Sequence, residues 1–90
     1  SDQEIISAIL EGGREREKAV QHLYETRRKR IKGFVLSKGG DMDQAKEIFH
    51  TGIIALYESI LERRFVGDSR LDNYLFMICR NNWYSLHFIL

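Results

Sequence analysis

The stretch DMDQAKEIFHTGIIALYESI (residues 41–60) decides the fold class. Its stripe of apolar and small residues is Ala45, Ile48, Phe49, Gly52, Ile53, Leu56, Tyr57 and Ile60. Steps of three and four place all of them on one face of an α-helix. Asp41 and Gln44, directly after Gly39-Gly40, have the spacing of a capping box and predict the helix start. No stretch of the chain shows the alternation expected of a strand.

Working outward, the glycines at 12–13, 39–40 and 67 are the natural breaks, and there is no proline. A short first helix is expected from Asp2 to Leu10, with Ile5, Ile6, Ile9 and Leu10 on one side. A longer second helix is expected from Arg14 to Lys38. Its stripe is Val20, Leu23, Tyr24, Ile31, Phe34 and Val35, interrupted at Arg27 where an apolar residue would continue it. The helix from Asp41 is the third. A fourth opens on SRLD, where Ser69 and Asp72 form a second candidate capping box. Short joints between amphipathic helices predict an all-α, compact antiparallel bundle of three to four helices, spanning residues 1–90 as a single domain.

The fourth helix carries more aromatic surface than one core face needs. Leu71, Leu75, Ile78, Asn82 and Leu86 form the expected core stripe, with Cys79 at its edge. A second line is Tyr74, Met77, Asn81, Tyr84 and Phe88; a third is Asn73, Phe76, Arg80, Trp83 and His87. A chain of 90 residues cannot bury all three. An exposed aromatic patch marks a binding surface. Rings beside Arg and Asn suit unpaired bases, since rings stack, guanidinium meets phosphate and amides read base edges. The other reading packs them on the first helix or on a second protein chain. The same two outcomes, burial against the first helix or self-association, are expected for the apolar end Leu86, Phe88, Ile89 and Leu90.

Composition narrows the class. With 43% hydrophobic and 30% charged residues the chain belongs with globular domains rather than disordered ones. No apolar run is long enough to span a membrane, and the acidic start SDQEIISAIL lacks a signal-peptide pattern. The single cysteine, Cys79, rules out an internal disulfide, so a cytoplasmic location is expected. The net charge is only +1, but it is unevenly spread. Glu11, Glu15 and Glu17 precede a basic block, Arg27 to Arg30 with Lys32, and Arg63, Arg64, Arg70 and Arg80 follow.

Catalytic patterns are missing. Glu47 and His50 have the Glu-x-x-His step of di-iron bundles, but such sites need two steps and two further carboxylates, and His22 and His87 supply no match. No nucleophile–histidine–acid order or phosphate-cradling glycine loop is present. Neither a cofactor nor an enzymatic activity is expected.

The segment GGDMDQAKEIFHTGIIALYESILERRFVGDSRLDNYLFMICRNNW resembles the second conserved region of bacterial RNA polymerase sigma factors of the extracytoplasmic-function type. An acidic helix ending in an aromatic, Tyr57, precedes the loop RFVGDSR, then the run Tyr74-Leu75-Phe76-Met77-Ile78-Cys79-Arg80-Asn81. The upstream REREKAVQHLYETRRKRIKGFVL is similar to the preceding helix of that family, so the likeness covers nearly the whole chain. It implies a domain that recognises the minus-ten promoter element and captures bases of the non-template strand. By the same resemblance Phe65, Asp68, Ser69 and Arg70 belong to the pocket loop, and Tyr74, Arg80, Asn81, Trp83 and Tyr84 to the recognition helix. The third helix, through Lys46, Glu47, His50, Thr51 and Glu58, would dock on the clamp coiled coil of the largest subunit of core RNA polymerase. An anti-sigma factor is an implied regulatory partner. The chain departs from the family at His50-Thr51, commonly Gln-Glu, at Lys46, commonly acidic, and at Arg27, commonly aromatic. It also lacks the family's C-terminal helix-turn-helix, which leads to the expectation that it is part of a longer protein. A sigma-derived helical interaction or dimerisation module is the alternative.

Overall fold

Helix α4 (Met42–Leu61) is the axis of the molecule, in contact with every other helix: α1 (Asp2–Glu11), α2 (Gly13–Thr26), α3 (Arg28–Ser37) and α5 (Leu71–His87). This computed structural model describes residues 1–87, so the expectations for Phe88, Ile89 and Leu90 lie outside the described residues. The architecture is an all-α bundle, as the periodicities predict. The third helix behaves as expected: Ala45, Ile48, Phe49, Gly52, Ile53, Leu56 and Ile60 are buried. Its capping box is formed, with the Gln44 amide donating to Asp41 Oδ1 at 2.8 Å and the Asp41 amide donating to Gln44 Oε1 at 2.9 Å.

Among the described residues the bundle has five helices rather than three or four, because the predicted second helix is two. Arg27 separates α2 from α3 with φ −107° and ψ −2°. Its side chain, in a register that would otherwise enter the core, turns to Asp72 on α5, with Nε 2.6 Å from Oδ1. A guanidinium cannot be buried unpaired, so the helix bends where the cation must reach its partner.

That pairing also undoes the second predicted capping box. Asp72 is committed to Arg27, and the first helical bond of α5 runs from the Tyr74 amide to the Arg70 carbonyl. The helix therefore starts one residue after the point where Ser69 could cap it. The Leu71 amide donates instead to Asp2 Oδ2, at 2.9 Å, from the opposite end of the chain.

The core face of α5 differs from the predicted stripe. Leu71 and Leu75 are buried as expected, but the line continues through Cys79 and Trp83. Ile78 and Asn82 are half-buried and Leu86 is 63% exposed, which excludes burial of Leu86 against the first helix. Two glycines make room for the observed line. A Cβ on Gly52 would lie 2.4 Å from Cys79 Sγ, and one on Gly40 would lie 2.8 Å from the Trp83 ring. Such distances are closer than atoms can pack, so α4 and α5 approach only because position 52 is glycine.

At its C-terminus α4 closes with a Schellman pattern. The Arg64 amide donates to the Ser59 carbonyl and the Arg63 amide to the Ile60 carbonyl, at 2.9 and 3.1 Å. Arg63 holds the left-handed position, φ +62°, where glycine is usual. The Phe65 amide also donates to the Ser59 carbonyl, and the Ser59 hydroxyl accepts from the Tyr74 hydroxyl at 3.2 Å. Ser59 is thus the buried post to which the loop 62–70 is tied.

The Cys79 thiol is enclosed and donates to the Ile48 carbonyl at 3.7 Å. Burial pushes its pKa up to about 12. A thiol in the unfolded chain ionises near pH 8.5. The folded state therefore holds the proton more tightly, and the associated stability is present below about pH 8.5 and is lost as pH rises toward 12. Alkylation should follow the same logic. At pH 8 an iodoacetamide adduct is expected only after denaturation, and rapid labelling of the folded protein, followed by mass spectrometry, would contradict the burial.

Candidate nucleic-acid interface

Helix α3, RKRIKGFVLS, buries only Ile31 and Val35 against the bundle. One row of its remaining face is Arg30, Phe34 and, at the C-cap, Lys38, each four residues apart. Helix α5 presents a matching row, Phe76, Arg80 and Tyr84. The rows meet. Phe34 packs edge-on against Phe76, with centroids 5.2 Å apart, and against Tyr84 at 6.2 Å. Arg30 Cζ stands 4.2 Å from the Phe76 centroid, and its Nη1 donates to Asn73 Oδ1 at 3.4 Å. Lys38 Nζ lies 5.8 Å from the Phe34 ring. The two helices run parallel, so cation, ring, cation on α3 faces ring, cation, ring on α5.

Charge is segregated onto these two helices. Residues 27–38 and 71–87 hold seven cations, Arg27, Arg28, Lys29, Arg30, Lys32, Lys38 and Arg80, against one carboxylate, Asp72. That carboxylate is paired with Arg27. The rest of the chain holds seven cations and twelve carboxylates. A net charge of +1 therefore conceals an uneven distribution, with the cations in excess on α3 and α5 and the carboxylates in excess elsewhere.

The residues assigned to DNA by the resemblance divide into three groups. Arg80 and Asn81 are exposed, as are Asp68, Ser69 and Arg70 in the loop. Tyr74 and Tyr84 are half-buried, Tyr74 against Phe65 and Tyr84 against Phe34. Phe65 and Trp83 are core residues, only 2% and 5% exposed. Trp83 fills the space over Gly40, and His87 stacks on its ring with centroids 3.6 Å apart. Phe65 stacks on Tyr74 at 4.5 Å. Neither ring is free to take a base. Nor do the exposed groups form a single cluster, because adjacent side chains leave a helix about 100° apart. Arg80 belongs to the α3 side of α5, whereas Asn81 lies on the flank shared with Tyr74.

Comparison with protein-family models, curated proteins and solved structures finds no match.

The second group assigned by resemblance sits on α4. Lys46, Glu47, His50, Thr51 and Glu58 are all exposed along its outer side. Ile54, 44% exposed, stands among them and borders an apolar pocket made with Val20, Tyr24, Ile53 and Tyr57. An apolar centre with a polar rim is the composition of a protein-docking surface. His50 is held in place by a hydrogen bond between its Nδ1 and the Tyr24 hydroxyl. No helix among the described residues is long and apolar enough to cross a membrane.

Sequence reasoning passed over Phe34 and Lys38 as parts of the site, and named Phe76 only among the surplus rings of the last helix. Their i, i+4 spacing was visible, but nothing in the sequence says that α3 lies beside α5.

Proposed function

We propose that this chain is a promoter-recognition and melting domain of a sigma factor, of the extracytoplasmic-function type. It holds the non-template strand of the minus-ten element and docks through the outer side of α4 on the clamp coiled coil of core RNA polymerase. The observation that carries the reading is the collection of exposed cations and half-exposed rings on α3 and α5, on a molecule whose remainder is acidic. Rings interleaved with cations suit a single strand better than a duplex, because only unpaired bases offer their faces. Asn81, exposed one residue after Arg80, is the side chain with the chemistry to read a base edge. The likeness in sequence to the sigma family supplies the strand and the partner. Core and loop rings, Trp83 and Phe65, take no part in base stacking on this reading; they hold the helix and loop that present the contacts.

The test titrates a labelled minus-ten-like single strand and a scrambled one, with and without core polymerase. The wild type should prefer the matched strand. A well-placed amide contact is worth about 1–3 kcal/mol of discrimination, so Asn81→Ala should cut that preference roughly five-fold or more. Glu47→Lys should abolish recruitment to polymerase while the free domain binds the strand as before. Equal affinity of wild type and Asn81→Ala for both strands would remove the base-reading role. Wild-type indifference to polymerase would remove the docking role. Failure of both would leave the interaction-module reading, which the exposure of Ile54 and Leu86 favours.

A further inference from the structure

We propose that the single strand lies along the seam between α3 and α5, its phosphates on Arg30, Lys38 and Arg80 and its bases against Phe34, Phe76 and Tyr84. This rests on the single-strand reading above and adds to it a wall, α3, that the family resemblance does not assign.

The geometry points to an extended ligand. Arg30 and Lys38 are two helical turns apart, about 12 Å along the axis at 1.5 Å per residue. That span matches three to four stacked nucleotides at about 3.4 Å each. The rows on α3 and α5 are in register, because Arg30 reaches Asn73 and Phe76 while Phe34 reaches Phe76 and Tyr84. A strand following the seam therefore meets alternating charge and ring at each step.

The cations are available. Arg30, Lys38 and Arg80 are exposed. The nearby carboxylate, Asp72, is held by Arg27 at 2.6 Å. Arg30 is kept over Phe76 by a cation–π contact, which is weak at an exposed site, so a phosphate can displace it or a base can stack on its outer face. A basic patch without rings would fit any polyanion. The interleaved rings narrow the ligand to one with unpaired bases.

The experiment uses the whole chain and a labelled oligo-thymidylate strand, so that sequence reading by Asn81 plays no part. Anisotropy is followed from about 50 to 200 mM salt, the range over which phosphate contacts are strongly weakened. Each phosphate contact to a single strand contributes about 0.7 to the slope of log affinity against log salt, or about five-fold at 0.1 M. The Arg30→Gln/Lys38→Gln double variant should therefore lose about 25-fold in affinity, and its slope should flatten by about 1.4. Arg14→Gln, an exposed cation off the seam, should bind as the wild type does. Circular dichroism confirms that each variant folds. Phe34→Leu should weaken binding without changing the slope, since a ring contributes stacking and no charge.

An unchanged slope in the double variant, with the matched strand still preferred over the scrambled one, would overturn the seam and leave the promoter reading standing. A loss with Arg14→Gln as large as with either seam variant would reduce the effect to overall charge. Poly-glutamate binding as tight as the strand would do the same. No binding of any strand by the wild type would overturn both proposals.

Discussion

Trp83→Ala is expected to remove about 3–5 kcal/mol of folding stability, the usual cost of deleting a buried indole. The ring is 5% exposed, spans the gap left by Gly40, and is covered on its outer side by His87. A small domain has about 5–15 kcal/mol in total, so one substitution takes a large share. The melting temperature should fall by about 12 °C or more. Strand affinity, corrected for the folded fraction, should stay within about two-fold of wild type, because a ring in the core contributes nothing to base stacking. Urea denaturation followed by circular dichroism, with anisotropy below the midpoint, separates the two roles. A stable variant that has lost strand binding would return Trp83 to the interface.

Phe65→Ala should be nearly as costly, about 3 kcal/mol, but with a local signature. Phe65 is the buried member of the loop between α4 and α5. Its ring lies on Tyr74, and its amide is tied to the Ser59 carbonyl at 3.1 Å. Without the ring the loop loses the contact that presses it to the bundle. Arg63, Arg64 and Arg70, exposed on that loop, should then become preferred tryptic sites under native conditions. Phe65→Leu, which retains much of the apolar volume, should restore most of the protection. A Phe65→Ala protein with unchanged stability and unchanged digestion would show that the ring is not an anchor.

The two rings also show where sequence reasoning stops. The third predicted helix was legible because its apolar residues recur without competition, and its capping box sits where the side chains of Asp41 and Gln44 require it. The division of the second helix was signalled by Arg27, a cation in an apolar stripe, but its partner Asp72 is 45 residues away. The last helix offered two lines of continuation after Leu75, one through Ile78 and Asn82 and one through Cys79 and Trp83. Helical periodicity permits both, since steps of three and four are equally native to it. What chose between them was space on another helix and its approach loop: Gly52 opposite Cys79 and Gly40 opposite Trp83. Of the candidate site, the exposure of Arg80, Asn81 and the α4 outer residues followed from their position on the wheel. The contribution of α3 did not, because it depends on which helices are neighbours.

The bond from the Leu71 amide to Asp2 ties the order of folding to two helices far apart in sequence. Sixty-nine residues separate the partners. Closing a flexible loop of that length costs about 4 kcal/mol, several times the roughly 1 kcal/mol that a helix cap returns. The cap therefore cannot draw the ends together; Ile5, Ile6 and Ile9 do so by burying themselves in the core, and the cap follows. On a growing chain, α1 would emerge before α2, α3, α4 and α5 and find no partner for Asp2 until Leu71 had been synthesised. The start of α5, and the candidate DNA-contacting loop that leads into it, would then be among the last parts to become ordered and among the first to be lost when α1 detaches.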